Sequence, residues 1–271
     1  MTNAHVERVP FGNSNNTLHV ERSGSGRTVL FINGSGTTLD GSRLLLKNFT
    51  ENFDLIAFDH RGMGKSDMLP GPWTMADYAA DVRGILDFFD VKQCAVLGVS
   101  FGGMVALEVA VTFPELVQRL CLWCTSAGGA AGSSYPLELL DLLSGDEEVD
   151  YRRLVLDRRF TKGHLEASPI DQLIAAHMLA GAAERRAKGD DLAYQEQMQA
   201  RRHHDVADRL SNIIAPTLLQ MGRFDGIAPL ANGEAIAARV RTSELRSYDG
   251  GHGFFAQDSR AIPDAKAFIS A

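Results

Sequence analysis

From residue 17 to about residue 125, short apolar β-branched runs alternate with longer stretches of helical spacing. Residues 27–32 (Arg-Thr-Val-Leu-Phe-Ile) and 94–99 (Cys-Ala-Val-Leu-Gly-Val) read as buried strands, and so does the run 120–125. Residues 103–111 are good helix formers without a breaker. This alternation predicts a mostly parallel sheet with helices on both faces. It stops near Ala127, after which Gly128-Gly-Ala-Ala-Gly-Ser-Ser134 reads as a flexible exit. Residues 135 to about 210 are charged and helical in character, with amphipathic spacing in 136–143 and 171–179. Strand and helix resume at Ile213. The expected organisation is a core of 1–128 and 212–271 with an all-helical insertion, 129–211, between the sixth and seventh strands.

Ser100 lies at the junction of the strand 94–99 and the following helix, in Gly98-Val99-Ser100-Phe101-Gly102. A serine there sits on a sharp, strained turn with its hydroxyl exposed, and the small flanking residues let neighbouring backbone approach. A hydroxyl needs a histidine base, itself held by a carboxylate. Residues 216–221 read as a strand, and Asp225 falls in the turn after it, at the strand end where open sheets of this kind place their sites. Residues 244–249 read as the last strand, followed by Gly250-Gly-His252-Gly. A histidine flanked by glycines on a loop has no packing reason to be there. Asp249 is too close to His252 along the chain to compete well with Asp225. Two backbone donors are needed for an oxyanion. Phe101 supplies one, and the loop Asn33-Gly34-Ser35-Gly36-Thr37 supplies the other, with Ser35 preferred and Gly36 next.

These motifs make the chain resemble the α/β-hydrolase superfamily over nearly its whole length. Asp59-His-Arg-Gly-Met-Gly-Lys-Ser66 is similar to the superfamily's structural turn after strand four, so His60 and Arg61 are assigned no chemistry. The stretches 70–75, 98–103, 122–126 and 250–255 resemble 3-oxoadipate enol-lactonases and their esterase relatives. Asn33 departs from the usual His-Gly pair. Asn33-Gly-Ser-Gly also resembles the loop of carbon–carbon bond hydrolases acting on ring-cleavage products. The resemblance implies hydrolysis of a small carboxylic ester or lactone through an acyl-enzyme, without cofactor or metal. A carbon–carbon hydrolase and a slow-turnover ligand receptor on the same fold are the alternatives.

The insertion is expected to cover the site, with residues 123–126 near the floor of its pocket and the pairs Arg158-Arg159, Arg185-Arg186 and Arg201-Arg202 on solvated faces or against an acidic substrate. Removing it is expected to leave a core weakly active on small activated esters. Contact with a second copy of the chain is its other use. His203 and His204 diverge too far on a helix to share a metal, so a solvated helix face is expected there. The chain has 271 residues, 45% hydrophobic and 23% charged, enough for one sizeable core. Its net charge of −7 without a basic stripe argues against nucleic acid. No apolar run near the start suggests a signal or membrane span, so a cytoplasmic protein with three reduced core cysteines is expected.

Overall fold

The computed structural model describes residues 4–12, 15–188 and 191–271; side chains are not described for 141 and 182–188. Eight strands form one sheet: β1 His5–Pro10, β2 Thr17–Gly24, β3 Arg27–Ile32, β4 Phe53–Phe58, β5 Cys94–Val99, β6 Val117–Trp123, β7 Thr217–Gly222 and β8 Ser243–Tyr248. Their order is β1-β2-β4-β3-β5-β6-β7-β8. The β1–β2 and β2–β4 pairs are antiparallel, and every later pair is parallel. β1 was not visible in the hydropathy pattern because it is an edge strand on which only Val9 is buried.

The central strand β5 is apolar and buried at every position because both of its faces are covered. Leu30, Ile56, Val96, Leu120 and Leu219 point to one core, while Val29, Phe31, Leu97, Cys121 and Leu218 point to the other. The first core lies under α2 (Met75–Phe88), α3 (Phe101–Thr112) and α8 (Leu230–Ala237). The second lies under α1 (Leu39–Thr50) and α10 (Ala261–Ser270), with the short α9 (Phe254–Gln257) beside it. Helix α3 is buried from Phe101 to Val111, which explains its lack of a polar face. Its one charge, Glu108, is met by both terminal nitrogens of Arg209 at 2.8 Å.

Between β6 and β7 the chain forms α4 (Gly145–Leu156), α5 (Lys162–Ala167), α6 (Pro169–Lys188) and α7 (Asp191–Arg202), with short 3-10 turns before α4 and after α7. Where this insertion leaves and rejoins the core, Gly128 bridges Asp205, and the Val206 N–H donates to the Ala127 carbonyl at 2.9 Å. Among the described residues no helix is long and apolar enough to cross a membrane.

Candidate active site

Ser100 stands between β5 and α3 with φ 55° and ψ −114°, a left-handed conformation that costs energy in a residue with a Cβ. The turn is held by the Ser100 N–H on the Trp123 carbonyl at 2.8 Å and by the Thr125 hydroxyl on the Ser100 carbonyl at 2.7 Å. It is possible only because of what flanks it. A Cβ on Gly98 would lie 2.4 Å from the Gly102 carbonyl oxygen, and one on Gly102 would lie 2.1 Å from that of Ile32.

The three side chains singled out from sequence lie in one row. Ser100 Oγ is 2.9 Å from His252 Nε2, and His252 Nδ1 is 2.8 Å from Asp225 Oδ2. A carboxylate can only accept, so Nδ1 carries the proton and Nε2 is left as the acceptor facing Ser100. The other oxygen of Asp225 accepts the Ile227 and Ala228 N–H groups at 2.7 and 2.9 Å, which fixes the carboxylate's plane. Asp225 is 1% exposed and His252 9%. Asp249 is exposed, outside the row, and paired with Arg159.

Phe101 opens α3, so its N–H has no partner within the helix, and among the described residues neither it nor the Ser35 N–H meets an acceptor. The Gly36 N–H, the second candidate, is occupied by Gln197 Oε1 of α7 at 2.8 Å. The loop carrying Ser35 is braced from below: His60 Nε2 contacts the Asn33 carbonyl at 3.0 Å, and the Ser42 hydroxyl donates to Asn33 Oδ1. Asn33 thus organises the loop through its side chain, and His60 and Arg61 are structural. Arg61 forms a buried two-pronged pair with Asp81.

Sequence reading missed how much the insertion supports this row. The Leu156 carbonyl accepts the His252 N–H at 2.6 Å, and the Val155 carbonyl accepts the Gly226 N–H at 3.0 Å. Gln257 ties the Gly251 N–H to Asp157 and Asp171. One segment of the insertion therefore clamps the loops of both Asp225 and His252. A core stripped of residues 135–208 would lose that clamp, so the expectation of a weakly active remnant is replaced by one of an inactive core. No hydrophobic spacing marks such backbone contacts.

Ser100 and His252 open on a cavity of about 700 Å³. Val99, Phe255 and Ile262 line it from the core, and Leu140, Val155, Leu173, Ile174 and Met178 from the insertion. Residues 123–126 do not line it, contrary to expectation. Trp123 lies one layer deeper, stacked under Phe255 at 5.0 Å between ring centroids. Neither described arginine pair lines it either, and the side chains of Arg185 and Arg186 lie outside the described residues. Arg152 does line it, and its Nε is held by Glu148 at 2.7 Å.

Among the described residues one cluster has metal-ligand types within reach of one another, namely Cys124, Asp225 and His252. A metal would require the thiolate. Burial, with the Asp225 carboxylate beside it, holds the Cys124 thiol well above its ordinary range, so the donor set does not fit a metal.

Burial also pushes His60 and His204 down to about 4 from an ordinary 6.5. His204 is thus a buried ring and not part of a solvated face. Between pH 6.5 and 4 the unfolded chain binds protons at both positions that the folded chain does not, so the contribution of these two histidines to stability falls as the pH drops through that window. At pH 5 the expected loss is about 2 kcal/mol for each histidine. Urea unfolding of the parent and of His204→Gln at about pH 7.5 and about pH 5 measures it, since the variant should lose less stability than the parent, and equal losses would contradict the assignment.

An open, mostly parallel sheet with a strained serine on the strand–helix turn after β5 defines a hydrolase of the α/β class. The family model described as alpha/beta hydrolase fold matches residues 27–259, and the chain belongs to that family. It is 25% identical to 3-oxoadipate enol-lactonase 2 of Acinetobacter baylyi over 225 residues, 83% of this chain and 81% of that one. It is 27% identical to the 2-hydroxy-6-oxononadienedioate/2-hydroxy-6-oxononatrienedioate hydrolase of Paraburkholderia xenovorans over 258 residues, 89% and 86% of the two chains. Among solved structures, Est816, described as an N-acyl homoserine lactone degrading enzyme, superposes with a TM-score of 0.76 at 21% identity, covering 97% of this chain and 100% of that one.

Proposed function

We propose that the chain hydrolyses a carboxylic ester or lactone with an apolar acyl group, through an acyl-enzyme on Ser100. The observation that carries this reading is the row Ser100–His252–Asp225 opening on a cavity walled mainly by aliphatic side chains. His252 Nε2 takes the Ser100 proton as Oγ bonds to the carbonyl carbon. The oxyanion is received by the Phe101 and Ser35 N–H groups. Collapse of the intermediate breaks the bond to the leaving oxygen, and His252 protonates that alkoxide. Water then attacks the acyl carbon, losing a proton to His252, and the acid departs with Ser100 restored. Asp225 keeps the ring oriented and stabilises its charged form. The insertion, 129–211, acts as the cap that excludes water from this sequence.

An ester of a longer acid buries more methylenes against the leucines, at about 0.8 kcal/mol each, or roughly fourfold in affinity. In a nitrophenyl ester series from acetate to octanoate, KM is expected to fall steeply while kcat changes little. A carboxylate at the far end of the acyl chain should not help, because Arg152 is already engaged by Glu148. A flat chain-length profile would refute the apolar assignment.

The Asn33-Gly34-Ser35-Gly36 loop and the similarity to a dienedioate hydrolase favour one second reading, cleavage of a carbon–carbon bond beside a ketone by the same row. Side-by-side rates on esters and on a vinylogous diketone separate the two. Absence of turnover on both would leave the receptor reading.

A further inference from the structure

A second cavity, of about 220 Å³, lies at the neck where the insertion leaves and rejoins the core. It is separate from the cavity over Ser100 and shares no lining residue with it. Arg201 forms part of its wall and is only 8% exposed. The guanidinium donates to the Tyr135 carbonyl at 2.6 Å, and among the described residues no carboxylate lies within 4.0 Å of it. Glu138 and Asp225 act on it only from a distance, and a buried cation with no carboxylate in contact is unfavourable. The acid in the same wall, Glu138, is taken by Arg202 Nε at 3.1 Å. His204, also in the lining, is 6% exposed, and neither ring nitrogen has a hydrogen-bond partner, although the ring approaches the Ser126 backbone. The hydroxyls of Ser126 and Ser134, 2.6 Å apart, complete a polar lining.

We propose that this neck cavity binds one small oxyanion, with the Arg201 guanidinium as its counter-charge and His204, Ser126 and Ser134 as further donors. The volume admits an inorganic phosphate or a short carboxylate, both of which present the paired oxygens a guanidinium favours. The bound ion would join the outgoing segment of the neck, 126–134, to the returning one, 201–204. It would also sit at the end of a hydrogen-bonded path to the site. Arg201 donates to the Tyr135 carbonyl, the Tyr135 N–H to the Ile227 carbonyl at 2.8 Å, and the Ile227 N–H to Asp225.

Calorimetric titration of the whole protein at neutral pH, with inorganic phosphate and separately with acetate at matched ionic strength, tests this. One equivalent is expected to bind, without competing with an ester substrate. Arg201→Gln is expected to weaken binding at least about tenfold by removing a charge-assisted hydrogen bond. Ser134→Leu, which fills the cavity and leaves the arginine in place, is expected to abolish binding. It decides the matter alone should Arg201→Gln not fold. Binding of phosphate only, or of acetate only, supports the site and identifies the source of its ligand. Failure of both ions to bind, binding that survives Ser134→Leu in folded protein, or competition with the ester overturns the proposal.

Discussion

Replacing Ser100 with alanine is expected to lower ester turnover on the order of 10⁴-fold or more while the melting temperature stays at or above that of the parent. On the proposed mechanism the change removes the atom that bonds to the acyl carbon, while the fold loses only a hydroxyl whose partner is His252 Nε2. His252→Ala is expected to cost as much, since Ser100 then has no proton acceptor. Asp225→Asn should cost less, because the ring remains but its tautomer is no longer dictated by a carboxylate. Steady-state kinetics with a nitrophenyl ester, with circular dichroism to verify folding, measures all three. Substantial turnover by folded Ser100→Ala would end the acyl-enzyme reading.

The second large effect falls on a glycine. In Gly102→Ala the new Cβ would lie 2.1 Å from the Ile32 carbonyl oxygen and 2.5 Å from that of Asn33. Both obstacles are backbone in the central sheet and the loop that follows it, so neither can swing aside. A destabilisation above about 4 kcal/mol is expected, at the far end of the range for single substitutions. Any fraction that folds must push α3 away from β3, which separates the Phe101 and Ser35 N–H groups. Gly84→Ala is the control: nothing lies within 4 Å of its Cβ. That change, inside α2, is expected to stabilise the protein by up to about 1 kcal/mol. Equal melting temperatures for the two variants would contradict the close-approach argument.

The row of three side chains was legible in sequence because each member sits in a local signal. Ser100 joins a β-branched run to a helical one, and Asp225 and His252 each follow a strand in turn-forming residues. What was not legible depends on contacts between distant segments. The Leu156 carbonyl on His252 and the Gln197 amide on Gly36 leave no trace in spacing or composition. His204 was misjudged for a related reason. Helix α7 ends at Arg202, so the two histidines that follow are not on a common helical face, and only His204 turns inward. The floor of the cavity was placed one layer too deep because Phe255, 132 positions from Trp123, covers it.

The neck has an evolutionary consequence. Gly128 and Asp205 are bridged, so for the sheet the whole intervening stretch is equivalent to a tight turn between two fixed points. Lineages could trade that stretch as a cassette and acquire new substrates without renegotiating the geometry around Ser100. The exchange carries one condition. Each incoming cassette must supply a free backbone carbonyl where Leu156 receives the His252 N–H and another where Val155 receives that of Gly226. Chimaeras crossed at 128 and 205 should therefore divide into active and inert according to how well the donor segment reproduces those two carbonyls, whatever its overall identity to the segment it replaces.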